Sequence, residues 1–400
     1  MPIPVKRLIL KRFRSVAGEV IEFDNPTFLV GQNGSGKSNI VSAFAFLADA
    51  MTSPLHAVFD RNGGIAAVRN RSAPHSHPPN VGMRVDFGKT DGLAGGLYVF
   101  EVKATPRHGF CVVREKCEIR AVDGAVCGFD RQGGRFHSSG GVDIKPSLDA
   151  SSLCLPIVGG DKRFAPALQI LSSMRPYAIE PAKLREMQDP DSGRVLRKDG
   201  VNAASVLHEM SRSNAGQVVE HVCEILQTIA PNTVSARSVR HGNKLTIEFT
   251  QEWGTTESPK RLKFEAFGMS DGTLRALGLL MAVYQPSPPS VLIIEEPEAT
   301  IHPGALGAIL DLIRAASKSV QVVVTTHSPE ILDAEWVKDG HIRIVTWEEG
   351  STHVLPLSAA SRQAMRDHLM GAGELLRANA LTPSTDLFGE QQKQMSLFED

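Results

Sequence analysis

Short apolar runs open the chain. Residues 7–10, 20–23 and 28–30 predict strands, and the last of these runs straight into a glycine-rich turn. Residues 39–47 then have helical character. From Val81 to about Phe136 the pattern turns to β. Within 111–121, Cys111, Val113, Cys117, Ile119 and Ala121 fall on one face, with Glu115 the exception. Arg114, Lys116, Glu118 and Arg120 fall on the other, the two-residue period of a half-buried strand. Glycine pairs at 95–96, 133–134 and 140–141 mark turns.

After a break at Gly159-Gly160, helical signals take over at 163–174, 201–211 and 216–229. A second β patch follows, with a hairpin turn at 240–243. The last third alternates: a helix over 273–284, a buried strand at 291–294, a helix begun by Pro303 and a strand at 320–325. Past Leu381 the chain becomes mostly polar and loses periodicity. The layout predicted is α/β: an N-terminal lobe with the glycine turn (1–55), a β-rich insertion (56–160), a helical and β-hairpin segment (161–265), a C-terminal lobe (266–380) and a flexible tail (381–400).

Composition narrows the picture by exclusion. The 43 Lys+Arg and 44 Asp+Glu nearly cancel, which rules out a polycation but not a local basic face. Hydrophobic residues make up 42%, enough for a sizeable core. No apolar run approaches the roughly 20 residues of a spanning helix, and no secretory signal opens the chain. Five cysteines without a C-x-x-C pair read as reduced thiols, so a cytoplasmic protein without membrane contact is expected.

Candidate chemistry begins at the glycine turn. Gly31-Gln32-Asn33-Gly34-Ser35-Gly36-Lys37-Ser38 matches the phosphate-binding pattern G-x-x-x-x-G-K-[ST], between a strand and a helix. Backbone N–H groups from Asn33 to Gly36 would close around phosphates at the positive end of the helix. Lys37 would supply a point charge, and the Ser38 hydroxyl a Mg²⁺ ligand. The apolar run at 291–294 delivers two carboxylates, Glu295 for the Mg²⁺ shell and Glu296 to orient and deprotonate a water. Ser270 and Gly272 stand just before a helix, where a hydroxyl and amides would meet a γ-phosphate. His327 stands just past a strand, within reach of the same phosphate.

Together these motifs, G-Q-N-G-S-G-K-S-N, F-G-M-S-D-G-T-L-R, I-I-E-E-P-E-A-T-I-H-P and T-T-H-S-P-E, resemble the RecF/SMC-like branch of ABC-type ATPases. The resemblance is to the compact bacterial "predicted ATPase" (AAA family) group, related to OLD-type and abortive-infection ATPases. It implies an ABC-type head with a P-loop core, ATP and Mg²⁺ as ligands, and a homodimer of heads sandwiching ATP. It also implies coupling of the ATP state to DNA or a partner protein. The region between Ser38 and Ser270, much of it β, leaves no room for a long coiled coil. The stretch after His327 is too short for a Toprim nuclease domain, and the only candidate for a Q-loop glutamine is Gln132.

The expected function is an ATPase of DNA repair or anti-phage defence, switching a separately encoded effector such as a nuclease or toxin. A DNA-structural clamp with a slow timer ATPase and a transporter's nucleotide-binding subunit are the alternatives. Two basic clusters are candidate DNA contacts: Lys6, Arg7, Lys11, Arg12 and Arg14, and Arg237, Arg240, Lys244, Lys260, Arg261 and Lys263. Finally, Gln394-Met395-Ser396-Leu397-Phe398 resembles the bacterial sliding-clamp-binding pentapeptide. Leu397 and Phe398 would fill an apolar pocket while Gln394 hydrogen-bonds beside it, on a tail with little nearby to bury them.

Overall fold

The computed structural model describes residues 2–70, 80–106, 109–142, 149–212, 216–255, 258–384 and 396–398. In chain order the strands are β1 (Val5–Phe13), β2 (Val16–Glu22), β3 (Thr27–Val30), β4 (Val81–Phe87), β5 (Gly95–Ala104), β6 (Phe110–Arg120), β7 (Val126–Gln132), β8 (Arg135–Ser139) and β9 (Arg175–Tyr177). They continue as β10 (Thr233–His241), β11 (Lys244–Thr255), β12 (Ser258–Glu265), β13 (Val291–Glu295), β14 (Gln321–Thr326), β15 (Ile342–Glu348) and β16 (Ser351–Pro356).

A six-stranded sheet in the order β16-β15-β3-β14-β13-β9 forms the centre. All its pairings are parallel except the β15–β16 hairpin. A strand buried on both faces reads as an unbroken apolar run, and β13 and β14 do. Alternate residues of β13 serve different cores. Val291 and Ile293 join the helix Lys37–Thr52 and the inner face of a second sheet. Leu292 and Ile294 join the helices Asp271–Tyr284, Leu306–Ala316, Ala203–Arg212 and Gln217–Ile229.

The second sheet is antiparallel, seven strands in the order β2-β1-β4-β5-β6-β7-β8. The first 55 residues are therefore divided between layers, β1 and β2 in this sheet and β3 in the central one. A third sheet, β10-β11-β12, carries the predicted hairpin turn. Pro303 opens a 3-10 turn, Pro303–Ala305, and the α-helix follows at Leu306. Among the described residues the longest helix has 16 residues, so no long coiled coil leaves the head.

Two sequence expectations need correction. In β6 the alternation changes phase, because Val113 is bulged out opposite Glu101 and Val102. Val112 is buried in place of Cys111 and Val113, while Glu115, Cys117 and Ile119 share the buried face below the bulge. The tail is not wholly free of the body either. Gln394 lies outside the described residues, but Leu397 is only 3% exposed, packed on Ile9, Leu97 and Val99 of the seven-stranded sheet.

Glu115 is no misfit. Its carboxylate accepts from the Tyr98 hydroxyl at 2.9 Å and from the N–H groups of Cys154 and Leu155 at 2.5 and 2.9 Å. Burial nevertheless dominates and pushes its pKa up to about 7 from an ordinary 4.5, against those hydrogen bonds. A carboxyl whose folded pKa is raised favours folding most when protonated, so its contribution is full below pH 4.5 and is lost as the pH rises through 7. Urea denaturation at pH 5 and pH 8 should therefore show a stability decline of up to about 3 kcal/mol from this group. Glu115→Gln should remove that decline, and an unchanged pH slope in the variant would refute it.

Candidate functional site

Parallel pairing assembles the site. Val30, which leads into the glycine turn, lies opposite Thr326, and Thr325 lies opposite Glu295. The carboxyl ends of β3, β14 and β13 thus bring together the glycine turn, His327 and the acidic pair, in agreement with the grouping read from the sequence. Open parallel sheets bind ligands at such ends.

Gly34 and Gly36 take φ of 81° and 103°, the left-handed region glycine tolerates. A Cβ on Gly36 would lie 2.0 Å from the Thr352 hydroxyl. That hydroxyl donates to the Ser35 carbonyl at 3.0 Å and meets the Ser15 hydroxyl at 2.7 Å, which in turn accepts from Asn39 at 2.6 Å. β16 and the β1–β2 turn therefore brace the loop from one side. Lys37 Nζ donates to the carbonyls of Gly31 and Gln32 at 2.6 and 3.0 Å, leaving one of its three protons for an anion. Burial lowers the Lys37 pKa, opposed by the charges of Glu296 and Glu298. The buried Ser35 hydroxyl oxygen has no partner among the described residues, as suits a loop shaped to meet phosphate oxygens.

At the end of β13, Glu296 adopts φ 45°, a conformation costing a non-glycine residue roughly 1 kcal/mol. It is held there at both ends: its N–H donates to the Thr325 carbonyl at 3.0 Å, and its carbonyl accepts from Arg275 at 2.8 Å. His327 Nδ1 lies 3.4 Å from the Glu296 carboxylate. Glu295 pairs with Lys198 Nζ at 2.8 Å, so a cation already balances this carboxylate. Carboxylate and hydroxyl oxygens are hard donors that suit Mg²⁺. Among the described residues no group of three or more His, Cys, Asp or Glu side chains could hold a metal alone, so Ser38 and phosphate oxygens would have to complete the shell.

Sequence reasoning passed over several members of this site. Glu298 accepts from the Thr326 hydroxyl at 2.7 Å and lies 3.8 Å from His327. Arg275, on the helix Asp271–Tyr284, donates to the carbonyls of Ile179, Glu295 and Glu296 and ties the Ser270 segment to the acidic strand end. Its pKa is lowered by burial, against the pull of Glu298, Glu296 and Glu295. Both residues stand inside the quoted motifs, so spacing alone could have flagged them.

Ser270 caps its helix, accepting from the Thr273 N–H at 3.2 Å. Gly272 packs against the Thr300 carbonyl, 3.0 Å from where a Cβ would sit. Neither bonds the glycine turn of its own chain among the described residues. Gln132 ends β7, beside the edge strand β8, and does not line the cleft at the turn. That cleft, about 820 Å³, is walled by Gly31 to Ser35, His327, Trp347, Leu376 and Leu381, among others.

The basic clusters are partly neutralised where they stand. Arg7 pairs with Asp86 and Lys11 with Glu101. Arg237 and Lys263 share Glu248, Arg261 pairs with Glu252 and Lys244 with Asp189. Charge available for phosphate contact is smaller than the sequence runs suggest.

Comparison with known proteins bears on this geometry. The model of a family described as "AAA domain, putative AbiEii toxin, Type IV TA system" matches residues 27–95 and 156–333. Among solved structures, an Smc head bound to the C-terminal winged-helix domain of ScpA is similar with a TM-score of 0.54 at 17% identity, covering 91% of this chain and 99% of that one. An Smc head with an extended coiled coil, bound to the C-terminal domain of ScpA and derived from Pyrococcus furiosus, gives 0.52 at 15% identity, covering 92% and 100%. At such identities the likeness is one of fold, an SMC-type ATPase head.

The bracing of the glycine turn is open to test by two alanines. Gly36→Ala meets both Thr352 and a forbidden φ, and should cost roughly 3 kcal/mol and abolish ATP binding. Gly34→Ala meets open space and should cost about 1 kcal/mol, from φ alone. Denaturant unfolding and titration with a fluorescent ATP analogue check both, and equal effects of the two substitutions would contradict the brace.

Proposed function

Because the chain belongs to the AAA-domain family just described, we propose that it is a cytoplasmic, ATP-hydrolysing switch that dimerises through ATP and controls a separately encoded effector. The observation that carries this reading is the register that sets the glycine turn, His327 and the two glutamates at adjoining strand ends. In this reading the amides of Asn33 to Gly36 and the Lys37 ammonium bind the β- and γ-phosphates. Ser38 and Glu295 would hold Mg²⁺, which when bound would offset phosphate charge. Glu296 takes the proton of the attacking water, and His327, 3.4 Å from it, holds that carboxylate and the γ-phosphate in register. The strained Glu296 backbone supports a positioned role for this residue.

Ser270 and Gly272 are left for a second head. Their helix start presents an N-terminal dipole, and neither residue bonds its own glycine turn, which supports contact with the γ-phosphate held by a partner copy. The family's toxin–antitoxin description favours anti-phage defence over DNA repair, with a nuclease or toxin as the effector. The tail, through Gln394, Leu397 and Phe398, would bring this switch to a sliding clamp.

Three variants test the assignment. Lys37→Ala should weaken ATP binding at least tenfold in a filter or fluorescence assay. Glu296→Gln should retain ATP but lower turnover by about 100-fold or more, and accumulate dimers on size exclusion. Ser270→Arg should leave binding by one head intact while preventing dimers. Wild-type turnover in Glu296→Gln would remove Glu296 as the base.

A further inference from the structure

The outer face of the seven-stranded sheet carries a small apolar island among charges. On β1 the outward residues are Arg7, Ile9 and Lys11, on β4 Gly82, Arg84 and Asp86, and on β5 Leu97, Val99 and Glu101. Leu97 and Val99 are neighbours on β5, and Ile9 lies across Arg84 from Val99; all three are 0–6% exposed, with Leu397 and Phe398 packed on them. The fit is specific. A Cβ on Gly82 would lie 2.2 Å from Leu397 Cδ1, so the missing side chain makes the socket for Leu397. Arg84 Nη1 donates to the Leu397 carbonyl at 3.2 Å while its Nε bonds Asp86. The Arg114 guanidinium, fixed by Asp130, lies 4.3 Å from the centre of the Phe398 ring.

We propose that this face is a docking site for the chain's own Leu397-Phe398 pair, a latch in cis that hides the pair from any partner until it is displaced. A backbone acceptor bonded to arginine, an aromatic ring under a second arginine and a leucine in a glycine socket are the means by which a folded domain recognises a short apolar peptide. The consequence for a sliding clamp rests on the clamp reading above: the same two side chains cannot fill the clamp's pocket while they fill this one. The latch itself needs no clamp.

A synthetic peptide of residues 391–400 tests it by fluorescence polarisation. A chain truncated after residue 390 should bind the peptide at least tenfold more tightly than the full chain, whose own tail competes. Gly82→Ala in the truncated chain should weaken that binding tenfold or more without moving the melting temperature, since the added methyl clashes only with the peptide and meets the Phe100 carbonyl at an ordinary 3.4 Å. Equal binding by truncated and full chains, or no effect of Gly82→Ala, overturns the latch. If the full chain's block fades on dilution to monomers, the tail docks on a second copy and the cis arrangement is wrong. In a second arm, purified bacterial sliding clamp should bind full-length Gly82→Ala at least tenfold more tightly than wild type. Equal clamp binding to both refutes the shielding, whereas no binding to either sinks the clamp reading and leaves the peptide result to decide the latch.

Discussion

The geometry of the nucleotide loop depends on how closely one side chain approaches it. Thr352, on the edge strand β16, fits its hydroxyl against the turn where Gly36 has no side chain, and bonds the Ser35 carbonyl and the Ser15 hydroxyl together. A loop rich in glycine has much conformational freedom to lose. Here that freedom is removed by neighbours on both sheets, so the amides are set before any phosphate arrives. Glu19 acts in the same joint, bonding His353 and the Val354 N–H across from β2. The two sheets are thereby locked at the edge nearest the loop, with the helix Lys37–Thr52 between them.

Across the site a different logic applies. The acidic strand end holds Glu295, Glu296 and Glu298 close together, and like charges so placed repel. Arg275 and Lys198 moderate that repulsion, Arg275 from a helix that also starts with Ser270. A shift of this helix relative to β13 would alter the charge balance around Glu296, and a rotation of Glu296 would pull on the helix. The link is a pair of hydrogen bonds to backbone carbonyls, so substitution of either glutamate's side chain leaves it in place.

Much of this was legible in the chain itself. The glycine turn, the acidic pair and His327 are recognisable because each motif is short, local and flanked by an apolar run that must be a buried strand. Of the central strands, β3, β13 and β14 could be read for the same reason, since burial on both faces leaves no alternation to misread, whereas the short β9 and the partly exposed β15–β16 hairpin could not. What escaped notice depends on partners distant in sequence. Thr352 is an unremarkable threonine until β16 reaches Gly36, and Glu115 breaks a pattern until Tyr98 and two amides surround it. The bulge at Val113 is invisible because it arises from the register of two strands together. The tail pair has no evident surface to cover in the sequence, since nothing in the local pattern around Ile9 or Val99 announces that Gly82 opens a socket beside them.

The strand order of the central sheet has a consequence for how the protein is made. β3, complete by residue 30, has β14 and β15 as its neighbours, and both are translated more than 290 residues later. The phosphate loop thus emerges from the ribosome early, with its apolar strand unpaired and its brace not yet synthesised. Contacts so distant in sequence form slowly and expose sticky surface meanwhile. The loop therefore lacks its brace until nearly the last strand is out, and a ribosome stalled anywhere before β16 would carry the motif without the side chain that packs against it.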